Sequence, residues 1–166
     1  MTAALSFPLQ SGNTGNAVKR IQNFLATLNL YSGRIDGDFG SMTKEAVLKF
    51  QRVNGLTQDG IVGENTGIAL DNQVWAAQQP VIREGSRGEG VKSFQEMYNN
   101  HAGGNLAVDG DFGAKTKAAV IEFQQSRGLT ADGIVGRQTW TSLYSLATHD
   151  IPVTQRISSI FTELVS

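Results

Sequence analysis

Residues 36–43 read DGDFGSMT and residues 109–116 read DGDFGAKT, so the same signal occurs twice, 73 residues apart. Asp-Gly favours a tight turn with a positive φ at the glycine, and the second glycine suits the N-cap of a helix. The threonine then falls in the first helical turn. A shorter form, Asp-Gly-x-x-Gly-x-x-Thr, occurs four times, beginning at Asp36, Asp59, Asp109 and Asp132. We predict that each occurrence starts a helix.

The repeat extends well beyond these turns. Residues 9–70 match residues 82–143 without a gap, and a match at one fixed period indicates duplicated structural units. The sequence therefore predicts an N-terminal segment (1–8), module 1 (9–71), a linker (72–81), module 2 (82–144) and a C-terminal tail (145–166).

Apolar residues between the turns follow helical spacing. Val18, Ile21, Leu25 and Leu28 form one stripe, and Ala46, Val47 and Phe50 form the next. Module 2 repeats both stripes. Ser86 and Glu89 have capping-box spacing, with Asn13 as the matching cap in module 1. The third helices are expected to be short, Glu64 to Leu70 and Arg137 to Leu143. The predicted fold is all-α, with two tandem three-helix bundles joined by a short linker.

Other residues have predicted structural roles. We expect the four turn aspartates to cap backbone N–H groups. The apolar loop residues should fill the corners of the bundles: Ile35, Phe39, Ile61, Val62, Val108, Phe112, Ile134 and Val135. The tail carries Ile157, Ile160, Phe161 and Leu164 after Pro152, which predicts an amphipathic helix. That helix either packs on module 2 or binds a protein partner.

Composition excludes several function classes. The net charge is −1 and no basic run occurs, so no nucleic-acid partner is expected. No apolar run approaches the roughly 18 residues that span a bilayer, and residues 1–8 lack the features of a signal peptide. We therefore expect neither a membrane span nor a secretion signal in this chain.

The sequence offers no catalytic or metal site. His101 and His149 are the only histidines, no HExxH motif occurs and cysteine is absent. Asp36-x-Asp38 is similar to the start of a calcium loop, but Gly40 and Val47 occupy two of the ligand positions. We predict no enzyme activity, no metal and no cofactor.

The ordered motifs resemble the peptidoglycan-binding domain family of three-helix modules. In module 1 the resemblance rests on the Gly12 to Gln22 pattern, on DGDFG followed by Thr43-Lys44, and on Gly55-Leu56-Thr57 with the turn at Asp59. Module 2 carries the same series. Trp140 occupies a position where the family often has tryptophan, whereas module 1 has Gly67. The resemblance implies noncovalent attachment to peptidoglycan on behalf of a catalytic or structural partner.

Peptidoglycan offers sugar faces, amides and stem-peptide carboxylates, so a binder needs an aromatic platform, amide partners and a cation in one concavity. The residues chosen on that basis are Tyr31, Arg34 and Asp38 in module 1, and Asp111, Arg137 and Trp140 in module 2. Gln51 and Gln124 either point into a cleft or lie on the surface.

We therefore expect bivalent, non-catalytic capture of the wall, in the cell envelope or on a phage-like particle. Two alternatives stay open. The chain is a structural subunit of a phage or injection-type particle that uses its modules for protein contacts, or it is a minimal wall hydrolase.

Overall fold

The structure is a computed structural model, and it describes residues 8–151. Within that range the chain is all-α, with six helices and no strand. The helices are α1 (Asn16–Thr27), α2 (Ser41–Val53), α3 (Glu64–Ala77), α4 (Glu89–His101), α5 (Ala114–Ser126) and α6 (Arg137–Ala147). The described residues divide into two compact bodies, here called unit 1 (residues 8–74) and unit 2 (residues 75–150).

The predicted turn-to-helix signals are confirmed. The glycine that follows each turn aspartate has a φ between 70° and 79°: Gly37, Gly60, Gly110 and Gly133. Gly40, Gly113 and Gly136 are the N-caps of α2, α5 and α6, and α3 begins directly after Gly63. The motif threonine is the third residue of its helix in all four cases. Local turn chemistry thus determines where these four helices start.

The predicted capping box at α4 is wrong. Gly88, with φ 109°, is the N-cap of α4 and no side chain caps that end. The Ser86 hydroxyl accepts the Arg83 N–H at 3.0 Å, and Asn13 Oδ1 accepts the Gln10 N–H at 2.7 Å. Both side chains therefore close the turn that precedes the helix, because a positive-φ glycine separates them from the helix itself.

Unit 1 closes around the apolar faces of α1 and α2. Leu9 and Val62 form an antiparallel pair with N···O distances of 3.0 and 2.8 Å, which ties the entering chain to the turn before α3. Phe39 and Phe50 are buried, as predicted. The other buried core residues include Val18, Ile21, Leu25, Val47, Val62 and Leu70.

Unit 2 repeats this arrangement with a more aromatic core. Ile82 and Val135 form the same antiparallel pair. Trp140 is 1% exposed and meets Phe94 edge to face at 5.8 Å. Phe112 and Phe123 are buried as predicted, but Val108 is 43% exposed and does not fill a corner.

Both third helices are longer than predicted. α3 continues to Ala77 and α6 to Ala147, so residues 72–77 of the expected linker are helical. The helical pattern continues because residues 71–77 contain no glycine or proline, and Val74 follows the buried Leu70 by one turn. The amphipathic helix predicted in the tail, and the N-terminal segment up to Phe7, lie outside the described residues. No helix within residues 8–151 combines the length and apolarity that a membrane crossing requires.

Candidate functional site

A buried glutamine organises the first turn of unit 1. Gln22 on α1 is fully buried, and its Nε2 donates to Asp36 Oδ1 at 2.9 Å and to Asp38 O at 3.0 Å. Its Oε1 accepts the Gly37 N–H at 2.9 Å. Thr43 Oγ1 lies 3.2 Å from the same Nε2. One amide therefore joins α1, the Asp-Gly turn and the first turn of α2.

The same network occurs four times. Gln51, Gln95 and Gln124 are 1% exposed and hold the turns at Asp59, Asp109 and Asp132. In each case the amide oxygen accepts the glycine N–H of the turn at 2.9 to 3.0 Å. Buried amides need such partners, because an unmatched polar group costs about 1 to 3 kcal/mol. Gln51 and Gln124 are therefore buried and do not lie on the surface, and Gln124 also contributes to the lining of a shallow cavity in unit 2.

The turn aspartates cap backbone groups, as predicted. Oδ1 of each one accepts the N–H two residues later at 2.9 Å, and it also accepts a glutamine N–H. These hydrogen bonds, the backbone one first, lower the pKa of Asp36, Asp59, Asp109 and Asp132 below the ordinary value of aspartate. The four carboxylates therefore remain ionised near neutral pH.

A lysine stem covers the glycine of each turn. A Cβ added at Gly37 would lie 2.9 Å from Lys19 Cγ, and one at Gly60 would lie 2.9 Å from Lys44 Cγ. Lys92 and Lys117 approach Gly110 and Gly133 similarly. Replacing these glycines by a larger residue is therefore disfavoured, both by the positive φ and by the contact with the lysine side chain.

The three residues chosen in unit 1 lie on one loop. Tyr31 is half-buried and its hydroxyl donates to Arg34 O at 2.7 Å, while Gln22 Nε2 donates to the same hydroxyl at 3.3 Å. The Arg34 and Asp38 side chains are exposed. The structure brings these residues together, with the tyrosine hydroxyl engaged within the protein.

The three residues chosen in unit 2 have different surroundings. Trp140 lies in the core and its Nε1 donates to Pro80 O at 2.9 Å, so its ring offers no open platform. That part of the prediction is wrong. Asp111 pairs instead with Arg87, at 3.4 Å between exposed side chains. Arg137 is exposed at the start of α6.

A shallow concavity is present on each unit. In unit 2, a cavity of about 200 Å³ is lined by polar groups that include Gln124, Asp132 and Arg137. In unit 1, a cavity of about 320 Å³ lies along α2 and is lined by Glu45, Leu48, Lys49, Arg52 and Gln58. In the cavity of unit 2, Arg137 lies beside Gln124 and Asp132. The residues of the α2 cavity were not predicted, because ordinary exposed positions carry no local sequence signal.

Gln22 and Gln95 were not predicted to organise the turns. Gln22 recurs as Gln95 in the repeat, so a signal was present, and its meaning depends on contacts 14 to 21 residues away along the chain. Within residues 8–151 no group of three or more His, Cys, Asp or Glu side chains is arranged to hold a metal ion.

The chain is similar to several proteins that are named as enzymes. A probable N-acetylmuramoyl-L-alanine amidase of Bacillus licheniformis is 31% identical over 158 residues, which cover 83% of this chain and 45% of that protein. An autolytic lysozyme of Clostridium acetobutylicum is 36% identical over 136 residues, covering 82% of this chain and 39% of the relative. A zinc D-Ala-D-Ala carboxypeptidase of Streptomyces albus G is 45% identical over 71 residues, 42% of this chain and 28% of that enzyme.

The chain spans less than half the length of each of these three relatives. The family described as "Putative peptidoglycan binding domain" matches residues 14–70 and, separately, residues 87–143. These two stretches make up more than half of the chain and coincide with the duplicated helical bundles. The protein therefore belongs to the peptidoglycan-binding domain family, which it carries as two domains in tandem.

Proposed function

We propose that this chain binds bacterial peptidoglycan noncovalently through both domains and holds an attached or associated partner on the wall. The observation that carries the proposal is the double family match, at residues 14–70 and 87–143. The cell envelope is accordingly the proposed site of action. A partner held through residues 145–166 belongs to the same proposal.

The architecture supports reversible binding. The glutamine networks fix four turns to the helices, so that the exposed residues around each turn are presented on a rigid framework. We propose that Arg34 and Asp38 in unit 1 and Arg137 in unit 2 contact the wall, with Tyr31 and Asp111 at the edges. Gln51, Gln124 and Trp140 contribute by supporting the framework from inside.

Duplication favours bivalent capture of a repeating polymer. When one domain is bound, the second contact becomes intramolecular, which raises avidity by about 10² to 10⁴ without stronger individual contacts. Two weak, exposed sites suit this mode, since each remains able to release and rebind along the polymer.

The non-catalytic part of the proposal rests on the chemistry of the described residues. A glycosidase needs a carboxylic acid that stays protonated near neutral pH, and a raised pKa provides it. The four turn aspartates have lowered pKa values instead. His101 and His149 are exposed. Relatives named as wall hydrolases support a hydrolase as the proposed partner, on a chain segment or a protein beyond this one.

Sedimentation with purified insoluble peptidoglycan tests the proposal. We expect the full chain to be retained, and soluble wall fragments to compete it away. The apparent affinity for insoluble wall should exceed that for monomeric fragments by about 10² to 10⁴ if both domains engage one polymer. Equal affinities would contradict bivalency, and absence of retention would favour the role of a structural subunit that contacts proteins. Turbidity of the same wall suspension should stay constant, and clearing would reveal a hydrolase.

A further inference from the structure

The shallow cavity of unit 2 has a rigid polar floor. Its lining includes Gln124, Thr130, Asp132, Ile134, Arg137 and Gln138. Gln124 Nε2 donates to Asp132 Oδ1 at 2.9 Å and to Ile134 O at 2.9 Å, and Ile134 N donates back to Asp132 Oδ1 at 2.9 Å. The floor is therefore held in place before any ligand arrives, and its own polar groups largely satisfy one another.

Arg137 is the cation at the rim of this cavity. Its side chain is exposed, and it forms no ion pair among residues 8–151, where the three ion pairs involve other cations. A guanidinium presents paired N–H donors in a plane, which matches the two oxygens of a carboxylate. The cavity thus combines a fixed floor with a free group suited to carboxylate recognition.

Unit 1 provides an internal comparison for this surface. Most matching positions carry the same residue types, among them Gln51, Leu56, Thr57, Asp59, Ile61 and Thr66. The matching position for Arg137, however, is Glu64. The aspartate and the rim residue together carry a charge of about −2 in unit 1 and about 0 in unit 2 near neutral pH. One position therefore reverses the charge at the rim.

We propose that the unit 2 cavity recognises a free carboxylate of the peptidoglycan stem peptide, with Arg137 as the residue that determines this preference. Glu64 repels the same group at the matching surface of unit 1. The two domains consequently read different chemistry on one polymer, and amidation of the stem peptide weakens binding at unit 2 only. This inference rests on the proposed wall-binding function and narrows it to one ligand group.

An NMR titration of the full chain tests the inference. The probes are a monomeric disaccharide-peptide fragment with free carboxylates and the same fragment with its carboxylates converted to amides. The free form should shift the backbone amides of residues 129–139, centred on Arg137 and Gln138. The amidated form should bind this site about tenfold more weakly, since a charged hydrogen-bonded pair is lost.

Three variants sharpen the test, and all change exposed residues. Arg137→Gln should weaken binding of the free fragment about tenfold and abolish the difference between the two fragments. Lys115→Gln is the matched control, because it removes the same charge from α5 outside the cavity lining, and it should leave the titration unchanged. Glu64→Arg should create a preference for the free fragment over the amidated one at residues 56–66 of unit 1.

The outcomes separate this inference from the proposed function. Equal shifts with free and amidated fragments, or an Arg137→Gln variant that binds like the parent, would overturn the carboxylate site while wall retention in sedimentation persists. Loss of all retention on insoluble peptidoglycan would overturn both. A response confined to unit 1 would likewise sink the assignment to Arg137.

Discussion

Units 1 and 2 share their polar framework but differ in how they complete their cores. The position held by Trp140 in unit 2 is Gly67 in unit 1, and both positions are buried. In unit 2 the indole meets Trp75 edge to face at 5.9 Å, and Trp75 stacks on Tyr144 at 4.2 Å. A buried apolar position thus changed between glycine and tryptophan while the turn networks stayed the same.

The loops after α1 and α4 show the same principle. In unit 1 the Tyr31 hydroxyl closes the loop on Arg34 O. In unit 2 the Asn99 amide holds Leu106 through both its N–H and its carbonyl, each at 2.8 Å. Two different side chains therefore close equivalent loops. The four glutamine networks are therefore shared by both units, whereas loop closure and core filling differ between them.

Removing the indole of Trp140 should cause the largest difference in stability between the two units. We expect Trp140→Ala to destabilise unit 2 by about 3 to 5 kcal/mol, because it deletes a fully buried ring. Native-state hydrogen exchange should show the main loss of protection in α4, α5 and α6. Met42→Ala, at a position 54% exposed, is the control and should change stability by less than about 0.5 kcal/mol. An equal loss of protection in α1 and α2 would contradict a unit-specific role.

The second test asks whether the glutamine networks contribute equally to the stability of both units. Gln51→Leu and Gln124→Leu each remove a buried amide and leave the turn glycine N–H without its acceptor. We expect each to cost about 2 to 4 kcal/mol, measured by urea unfolding. The two losses should agree within about 0.5 kcal/mol, since the hydrogen-bond distances match. The neighbouring Gln125 is exposed, so Gln125→Leu is the control. Clearly unequal losses of stability in the two units would contradict an equal contribution of the networks.

The smallest expected effect is a decrease in the stability of both units at acid pH. The folded protein lowers the pKa of the four turn aspartates, so their contribution to stability is fully present above the unfolded value of about 4. It is lost as the pH falls through the lower folded values. The free energy of unfolding should therefore drop below pH of about 4. Asp59→Asn and Asp132→Asn should each flatten this dependence, and an unchanged slope in both would show that these carboxylates are not its source.

Helix starts were predictable because they depend on neighbouring residues. Gly40 and Gly136 cap their helices as expected, and Asp59 accepts a hydrogen bond from an N–H two residues later. The capping box at Ser86 failed for a reason that is still local, namely the positive φ of Gly88. Helices α3 and α6 extend beyond their predicted ends, Leu70 and Leu143, because the residues that follow remain compatible with a helix.

The candidate site was harder to predict because exposure is a property of the folded chain. Trp140 was expected at a binding surface, yet its indole N–H reaches Pro80 O, 60 residues earlier in the sequence. Arg137 is exposed, and its neighbours in the cavity come from α5 and from the Asp132 turn. No sequence pattern indicates which side chains from separate helices and turns lie together in the folded protein.

The amino-acid sequence by itself determined the duplication, the all-α class, the family and the four turns that start helices, since these depend on the repeat and on contacts within a few residues. Only the tertiary structure shows that the glutamines face inward, that Trp140 is buried and that Arg137 is exposed at a cavity rim. Burial and hydrogen-bond partners are settled only when distant segments meet, because desolvation acts on the whole surroundings of a side chain and not on its place in the chain.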